Sequence, residues 1–156
     1  MTGSCSPSTR ARRALQRLVL LTLVIGVCSF ALAAAVDASG VPILAGPWSL
    51  HQKGYGHVKP ATVFNGGDPT GLVRYINWNS WGGAHAVGTG IAEYEAPNQS
   101  VAGGSQEIAR IVLFQLGSCH HRRAYDAIEW YFPQHGQHFN PHQYINACSG
   151  QYYPRY

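Results

Sequence analysis

The chain has 156 residues, of which 46% are hydrophobic, 12% aromatic and 12% charged, and its formal net charge is +4. Four of its arginines precede residue 18. Beyond residue 38 the chain has seven Lys and Arg and six Asp and Glu, which gives a net charge of +1. So small a positive charge after the first segment excludes a basic surface for nucleic acid. The aromatic and glycine content also excludes a disordered chain.

Residues 1–38 have the pattern of a secretory signal. Arg10, Arg12, Arg13 and Arg17 precede an apolar run at 18–36, which ends in small residues. A basic segment, an apolar helix and a small-residue exit together direct export, so we expect a secreted, extracellular protein. The alternative is that the 19-residue run stays uncleaved and anchors the protein in a membrane, because that length can cross a bilayer.

About 118 residues follow the signal, which suits a single domain. Residues 39–47 contain glycine and proline and are expected to form a loose arm. Residues 48–150 form the predicted β-rich domain, and residues 151–156 form a tyrosine-rich tail.

Alternating or continuous apolar residues predict strands at 72–78, 84–94, 108–116 and 124–132, with an edge strand within 57–64. In the first of these, residues 72, 74, 76 and 78 are expected on one face and residues 73, 75 and 77 on the other. One face of 84–94 carries almost no side chains, so a tryptophan is expected to lie flat on it. The run 108–116 predicts a central strand buried on both faces.

No internal helix interrupts these segments, apart from one helical turn predicted after Asn140 and Pro141. Strands joined by glycine-rich turns predict an all-β, mainly antiparallel fold: a small β-sandwich or barrel preceded by the N-terminal signal helix.

Cys119 and Cys148 are the two cysteines beyond the signal. In an exported protein such a pair is expected to form one disulfide. It would close a loop of about 30 residues, worth about 3 to 4 kcal/mol in the chain-entropy treatment. The alternative, a metal or redox pair, lacks the C-x-x-C spacing.

Three stretches, at 64–71, 78–83 and 129–136, read FNGGDPTG, WNSWGG and EWYFPQHG. They resemble small secreted actinobacterial proteins of unknown function, across roughly residues 46–150. The resemblance implies an exported protein of actinobacterial origin and implies no activity, so the chemistry rests on individual side chains.

Two sets of residues are candidates for chemistry. His135, His138 and His142 form a cluster able to hold Zn²⁺ or Cu²⁺, but Pro141 breaks their helical spacing, so no metal and no cofactor are expected. Glu129 is predicted to share a strand face with Tyr125 and Tyr131, with Asp126 on the opposite face.

Such a carboxyl, held between tyrosine rings, has an environment that raises its pKa and suits a general acid. A glycosidase would need a second carboxyl from Glu93, Glu95 or Glu107.

Aromatic side chains give the leading functional expectation. Trp78, Trp81, Tyr75 and Tyr131 are candidates for stacking on sugar rings beside amide side chains, with core filling as the alternative for the tryptophans. We therefore expect a non-enzymatic secreted domain that binds polysaccharide or another cell-surface component. The alternatives are a small hydrolase that uses Glu129 and a protein-binding or inhibitor module presenting the loop at 95–104.

Overall fold

A computed structural model of the protein describes residues 40–154, so the predicted signal at 1–38 lies outside the described residues. The strands are β1 Ile43–Leu44, β2 Thr62–Phe64, β3 Leu72–Ser80, β4 Ala86–Tyr94, β5 Ser105–Cys119, β6 Arg122–Tyr131, β7 Tyr144–Asn146 and β8 Tyr152–Tyr153. Three short 3₁₀ helices span Pro69–Gly71, Val101–Gly103 and Pro133–His135. Between residues 40 and 154 there is no α-helix, and no helix there is long and apolar enough to cross a membrane. The all-β prediction is confirmed.

All eight strands belong to one sheet. Strands β2 to β8 lie in chain order and pair antiparallel with their neighbours, whereas β1 pairs parallel with β6. The mainly antiparallel character is confirmed as well. Strand β5 is central, as its apolar sequence predicts, and Ile111, Val112, Leu113 and Phe114 are all buried.

Within the expected loose arm at 39–47, Ile43 and Leu44 instead belong to the sheet as β1. Ile43 pairs with Ala124 and Leu44 pairs with Tyr125, and residues 42–45 are all buried. The glycine and proline residues of this stretch flank β1. Burial of its apolar residues stabilises the fold by more than the conformational entropy lost when the chain is ordered.

Backbone hydrogen bonds lead from β1 back to β2. The Leu44 N–H donates to His57 O at 3.0 Å, and the Gly56 N–H donates to Leu44 O at 2.8 Å. Lys53 then forms an antiparallel bridge with Phe64 of β2. The path therefore runs from β2 through β6 and β1 and returns to β2, with the chain from residue 57 back to residue 53 as its one link that is not a hydrogen bond.

A bulge in β3 changes which residues face the core. Tyr75 has a left-handed φ of 55°, and the pairing with β4 shifts between Arg74 and Asn77. Val73 and Ile76 are consequently both buried, and Tyr75 is 76% exposed. The predicted strict alternation along β3 is wrong at this point, because a bulge inserts one residue and reverses the faces that follow it.

The small-residue face of β4 accommodates larger neighbours from β3, as predicted. Ala86, Gly88 and Gly90 are buried, and a β-carbon built at Gly88 would lie 3.0 Å from both the Ile76 side chain and the Trp78 indole. Glycine here lets the indole approach the backbone closely.

The chain beyond β6 contains the single turn predicted after Asn140 and Pro141, and it adds two strands that were not predicted. Asn140 Oδ1 accepts from the His142 N–H at 3.0 Å, and Asn140 O accepts from the Gln143 N–H at 3.0 Å. These bonds complete a local Asx-type turn, which directs the chain into β7. The tyrosine-rich tail contributes β8, so two strands follow the one expected to be last.

The predicted disulfide is confirmed: Cys119, the last residue of β5, is bonded to Cys148, just after β7. It ties the β5–β6 hairpin to the C-terminal strands.

Candidate functional site

The segment between β6 and β7 folds back over β6. The 3₁₀ helix Pro133–His135 ends at Gly136, whose left-handed φ of 73° reverses the chain. Only a residue without a β-carbon adopts this conformation readily. Gln137 then fixes the reversal, because its side-chain oxygen accepts from the Phe132 N–H at 2.9 Å.

Aromatic packing holds this returning segment on the outer face of the sheet. The rings of Phe139 and Tyr144 lie 5.1 and 5.3 Å from the ring of Phe114, both edge to face. With Val112 and Ala127 they form a small apolar cluster, separate from the main core. The outward side chains of the doubly buried strand β5 thus provide the surface to which the segment is attached.

Between β6, the returning segment, β7 and β8 lies a cavity of about 490 Å³. Of the strand residues that line it, Glu129 and Tyr131 alternate on β6 with Ile128 and Trp130, which pack against the main core. The side chains on the cavity side of the sheet are therefore Glu129, Tyr131, Tyr144 and Tyr153. The returning segment adds four polar residues, Gln137, His138, Asn140 and Gln143.

Two of the tyrosines form one wall. Tyr144 of β7 and Tyr153 of β8 are directly opposite in the antiparallel pairing, and their rings stack 4.7 Å apart at 12°. Cross-strand aromatic pairs of this kind fix ring orientation. The pair gives the cavity an aromatic edge, formed by two strands that were not predicted from the sequence.

Glu129 is the one carboxylate that lines the cavity within residues 40–154. The Asn140 N–H donates to both of its oxygens, at 3.1 and 3.0 Å. Burial raises the pKa of Glu129 to about 7, although the Asn140 hydrogen bond and the charge of His138 act to lower it. No described Lys or Arg forms an ion pair with it. A half-buried carboxyl therefore changes its charge near neutral pH without a lysine or arginine partner in the described residues.

The other candidate acids lie elsewhere. Glu107 binds Gln134, Ser105 and His135 through its side chain, and these hydrogen bonds lower its pKa to about 2. Asp126 does not line the cavity; burial raises its pKa, and its Oδ1 is buried without a hydrogen-bond partner. Among residues 40–154, one carboxylate rather than the pair that glycoside hydrolysis usually requires lines the cavity.

The four predicted sugar-stacking residues are not brought together. Trp78 and Trp81 pack edge to face at 4.7 Å, and their indole N–H groups donate to the Pro60 and Pro42 carbonyls. Both tryptophans fill volume beside the core. Tyr75 lies on its bulge with the Arg74 guanidinium carbon 5.7 Å from its ring centroid, and of the four residues only Tyr131 lines the cavity.

Tyr125 does not share the surroundings of Glu129 as the alternation predicts. It is fully buried, and its ring packs edge to face on Trp81 at 5.5 Å. Tyr131 does lie with Glu129 at the cavity. The neighbouring Ala124 and Tyr125 both belong to the main core, so regular alternation has not yet begun at the start of β6.

The three candidate metal-binding histidines are also separated. His135 stacks on Tyr94 at 3.6 Å and places Nε2 2.7 Å from Glu107, His138 lines the cavity, and His142 is exposed. Within residues 40–154 the only group with three metal-ligating atoms close together is Cys119, His120 and Cys148. Its two sulfurs are already bonded to each other.

Sequence reasoning assigned neither Asn140 nor Tyr144 to a site, and it placed Tyr153 in a tyrosine-rich tail rather than in a strand. One sequence signal could have placed these residues near Glu129. Pro133 and Gly136 indicate a reversal of the chain, and this reversal brings the residues that follow it back over the face of β6 that carries Glu129.

Comparison of the chain with protein-family models, with curated proteins and with solved structures found no match in any of the three.

Proposed function

We propose that this protein is a secreted, non-enzymatic domain that binds carbohydrate at the cell surface, and that its binding site is the cavity bounded by Tyr131, Tyr144 and Tyr153. The observation that carries the proposal is the composition of the cavity. Its four tyrosines, which include Tyr152, and its polar returning segment enclose about 490 Å³, which is within the usual size range for ligand sites.

Carbohydrates suit such a surface for two reasons. The C–H faces of a sugar ring pack on aromatic rings, and the hydroxyl groups need amide and carboxyl partners. The cavity offers both: the stacked Tyr144–Tyr153 pair forms a wall, and Gln143 is exposed at the edge. The Gln143 side chain has no hydrogen-bond partner in the part of the chain that the structure describes, so it is available to a ligand.

This proposal transfers the sugar site from the tryptophans to the cavity. A stacking platform needs an open ring face, whereas Trp78 and Trp81 pack against one another and use their N–H groups inside the fold. Tyr131 is the predicted ligand-binding residue that the proposal retains.

A hydrolase centred on Glu129 is the second candidate. Its support is the raised pKa of that carboxyl, which suits proton donation near neutral pH. The cavity has no second carboxylate among its described residues, so binding is the better-supported function. If turnover of any glycan is detected, Glu129→Gln abolishes it under the hydrolase proposal and leaves it unchanged if Glu129 is not the acid.

We further propose that the protein is exported, that it is of actinobacterial origin, and that its fold is a small, partly open barrel. The Cys119–Cys148 disulfide supports export, because such bonds persist in oxidising compartments. The three motifs that resemble secreted actinobacterial proteins support the origin. The path that returns from β1 to β2 supports the barrel.

A glycan array followed by titration calorimetry tests the binding proposal with two matched Tyr→Ala variants. Tyr153→Ala removes a cavity ring, and Tyr75→Ala removes a highly exposed ring outside the cavity. We expect Tyr153→Ala to weaken binding of any array hit by about tenfold, and Tyr75→Ala to leave it unchanged. Loss of binding only in Tyr75→Ala would place the site on the β3 bulge and refute the proposal.

A further inference from the structure

The cavity contains a carboxylate with which no described lysine or arginine forms an ion pair. The carboxyl of Glu129 has a single hydrogen-bond donor in the described residues, the Asn140 N–H, and no described Lys or Arg is paired with it. Half-buried charges are normally paired, because removal from water is costly. An unpaired carboxylate that opens into a cavity is therefore complementary to a cation brought by the ligand.

The surrounding rings favour the same charge. Tyr131, Tyr144 and Tyr153 line the cavity on the same side of the sheet as Glu129. Aromatic faces attract ammonium groups, and rings combined with a carboxylate form a common recognition site for alkylated ammonium groups. His138 also lines the cavity, and its charge lowers the pKa of Glu129.

We propose that the saccharide bound in this cavity carries a cationic nitrogen, and that Glu129 and the tyrosine rings form the subsite for that nitrogen. The inference rests on the proposed carbohydrate function and adds to it the chemical class of the ligand. It predicts that an amine-bearing sugar binds in preference to its N-acetylated or hydroxylated counterpart.

Choline and its neutral isostere 3,3-dimethylbutan-1-ol test the subsite itself, because they differ in charge and hardly in shape. We expect choline to bind the purified protein at pH 8 at least about tenfold more tightly than the isostere, a difference near 1.4 kcal/mol. Glu129→Gln removes that preference, whereas Glu95→Gln, in an exposed loop outside the cavity, keeps it.

The pH dependence of choline binding distinguishes the effect of Glu129 from that of the neighbouring titratable groups. Choline keeps its charge at every pH, so its binding follows the charges of the protein. The titratable groups that line the cavity beside Glu129 are His138, Tyr131, Tyr144, Tyr152 and Tyr153. Binding is expected to weaken about tenfold between pH 8 and pH 5.5 as Glu129 gains its proton. A dependence that persists in Glu129→Gln would assign the effect to His138 and overturn the inference.

Tetramers of glucosamine and of N-acetylglucosamine then test whether the cation belongs to a sugar. Tighter binding of the glucosamine tetramer at pH 6.5 supports both proposals. Equal binding of the tetramers, with no preference for choline, overturns the cationic subsite and leaves the carbohydrate proposal intact. Choline binding that depends on Glu129, without binding of any saccharide, supports the subsite and overturns the carbohydrate function.

Discussion

Replacing Glu129 by Gln is expected to stabilise the domain at neutral pH and to have a smaller effect in acid. The glutamine keeps a side-chain oxygen in place for the Asn140 N–H and removes the charge that burial disfavours. In the folded protein the pKa of Glu129 is raised from an ordinary value near 4.5 to about 7. The folded state therefore holds a proton that the unfolded state releases between these two values.

The sign and size of the effect follow from proton linkage. The folded state binds more protons between pH 4.5 and 7, so the contribution of Glu129 to stability falls as pH rises through that interval and is constant above it. In a fully buried group, this pKa shift would lower the unfolding free energy above pH 7 by roughly 3 kcal/mol. Glu129 is only half-buried, and solvent screening reduces the expected difference to about 1 to 2 kcal/mol.

Urea denaturation monitored by tryptophan fluorescence at pH 4, 6 and 8 measures this difference. At each pH the quantity compared is the unfolding free energy of Glu129→Gln minus that of the natural chain. This difference should be about 1 to 2 kcal/mol larger at pH 8 than at pH 4. The lowered pKa of Glu107 gives the opposite slope, with stability lost as pH falls toward about 2, but it is common to both proteins and cancels. A gain that is the same at all three pH values would refute the reasoning. Glu95→Gln serves as the control and should show no such growth.

Three further predictions concern the fold. Replacing both Cys119 and Cys148 by Ala opens a loop with a sequence separation of 29; the unfolding free energy should fall by about 3.5 kcal/mol and Tm by about 15 °C, and an unchanged Tm would contradict this. Gly90→Ala places a β-carbon 2.8 Å from a backbone oxygen of β3 and should cost about 1 to 3 kcal/mol in urea unfolding. Gly67→Ala, with nothing within 4 Å, is the matched control, and equal losses in the two variants would refute the packing argument. Tyr125→Phe removes a buried hydroxyl that accepts from one backbone N–H and donates to one backbone carbonyl, so thermal unfolding should show a loss of about 1 to 3 kcal/mol; a variant as stable as the natural chain would show that these bonds contribute nothing.

Local sequence predicted the parts of the fold that depend on local patterns. The apolar run of β5 predicted a strand buried on both faces, and the small residues of β4 predicted close approach of a bulky neighbour such as Trp78. Features that depend on distant partners were not predictable in this way. Strand β1 exists because Ile43 and Leu44 meet β6 some 80 residues further along the chain.

The β3 bulge shows a second limit of pattern reading. Residues 72–78 alternate well enough to predict two faces, but a single left-handed residue, Tyr75, reverses them. Aromatic residues rarely adopt positive φ, so no local rule places a bulge there. The exposed position of Tyr75 follows from pairing with β4.

The sequence predicted only the part of the candidate site that lies on β6. Alternation along β6 placed Glu129 and Tyr131 on one face, and the structure brings both to the cavity. The opposite wall depends on Tyr144 and Tyr153, which meet only after the chain reverses at Gly136 and two further strands form. The tryptophans carried the sugar-binding expectation because composition alone does not distinguish a stacking platform from core packing.

Backbone amide NMR during a titration with a saccharide identified on the glycan array tests the central claim most directly. The Asn140 amide is a built-in reporter, because its N–H is bonded to the Glu129 carboxylate. Binding in the cavity predicts that the largest shift changes occur at Asn140, Tyr131, Tyr144 and Tyr153. Changes confined to residues 75–81, with the Asn140 signal unmoved at saturation, would show that the carbohydrate binds elsewhere.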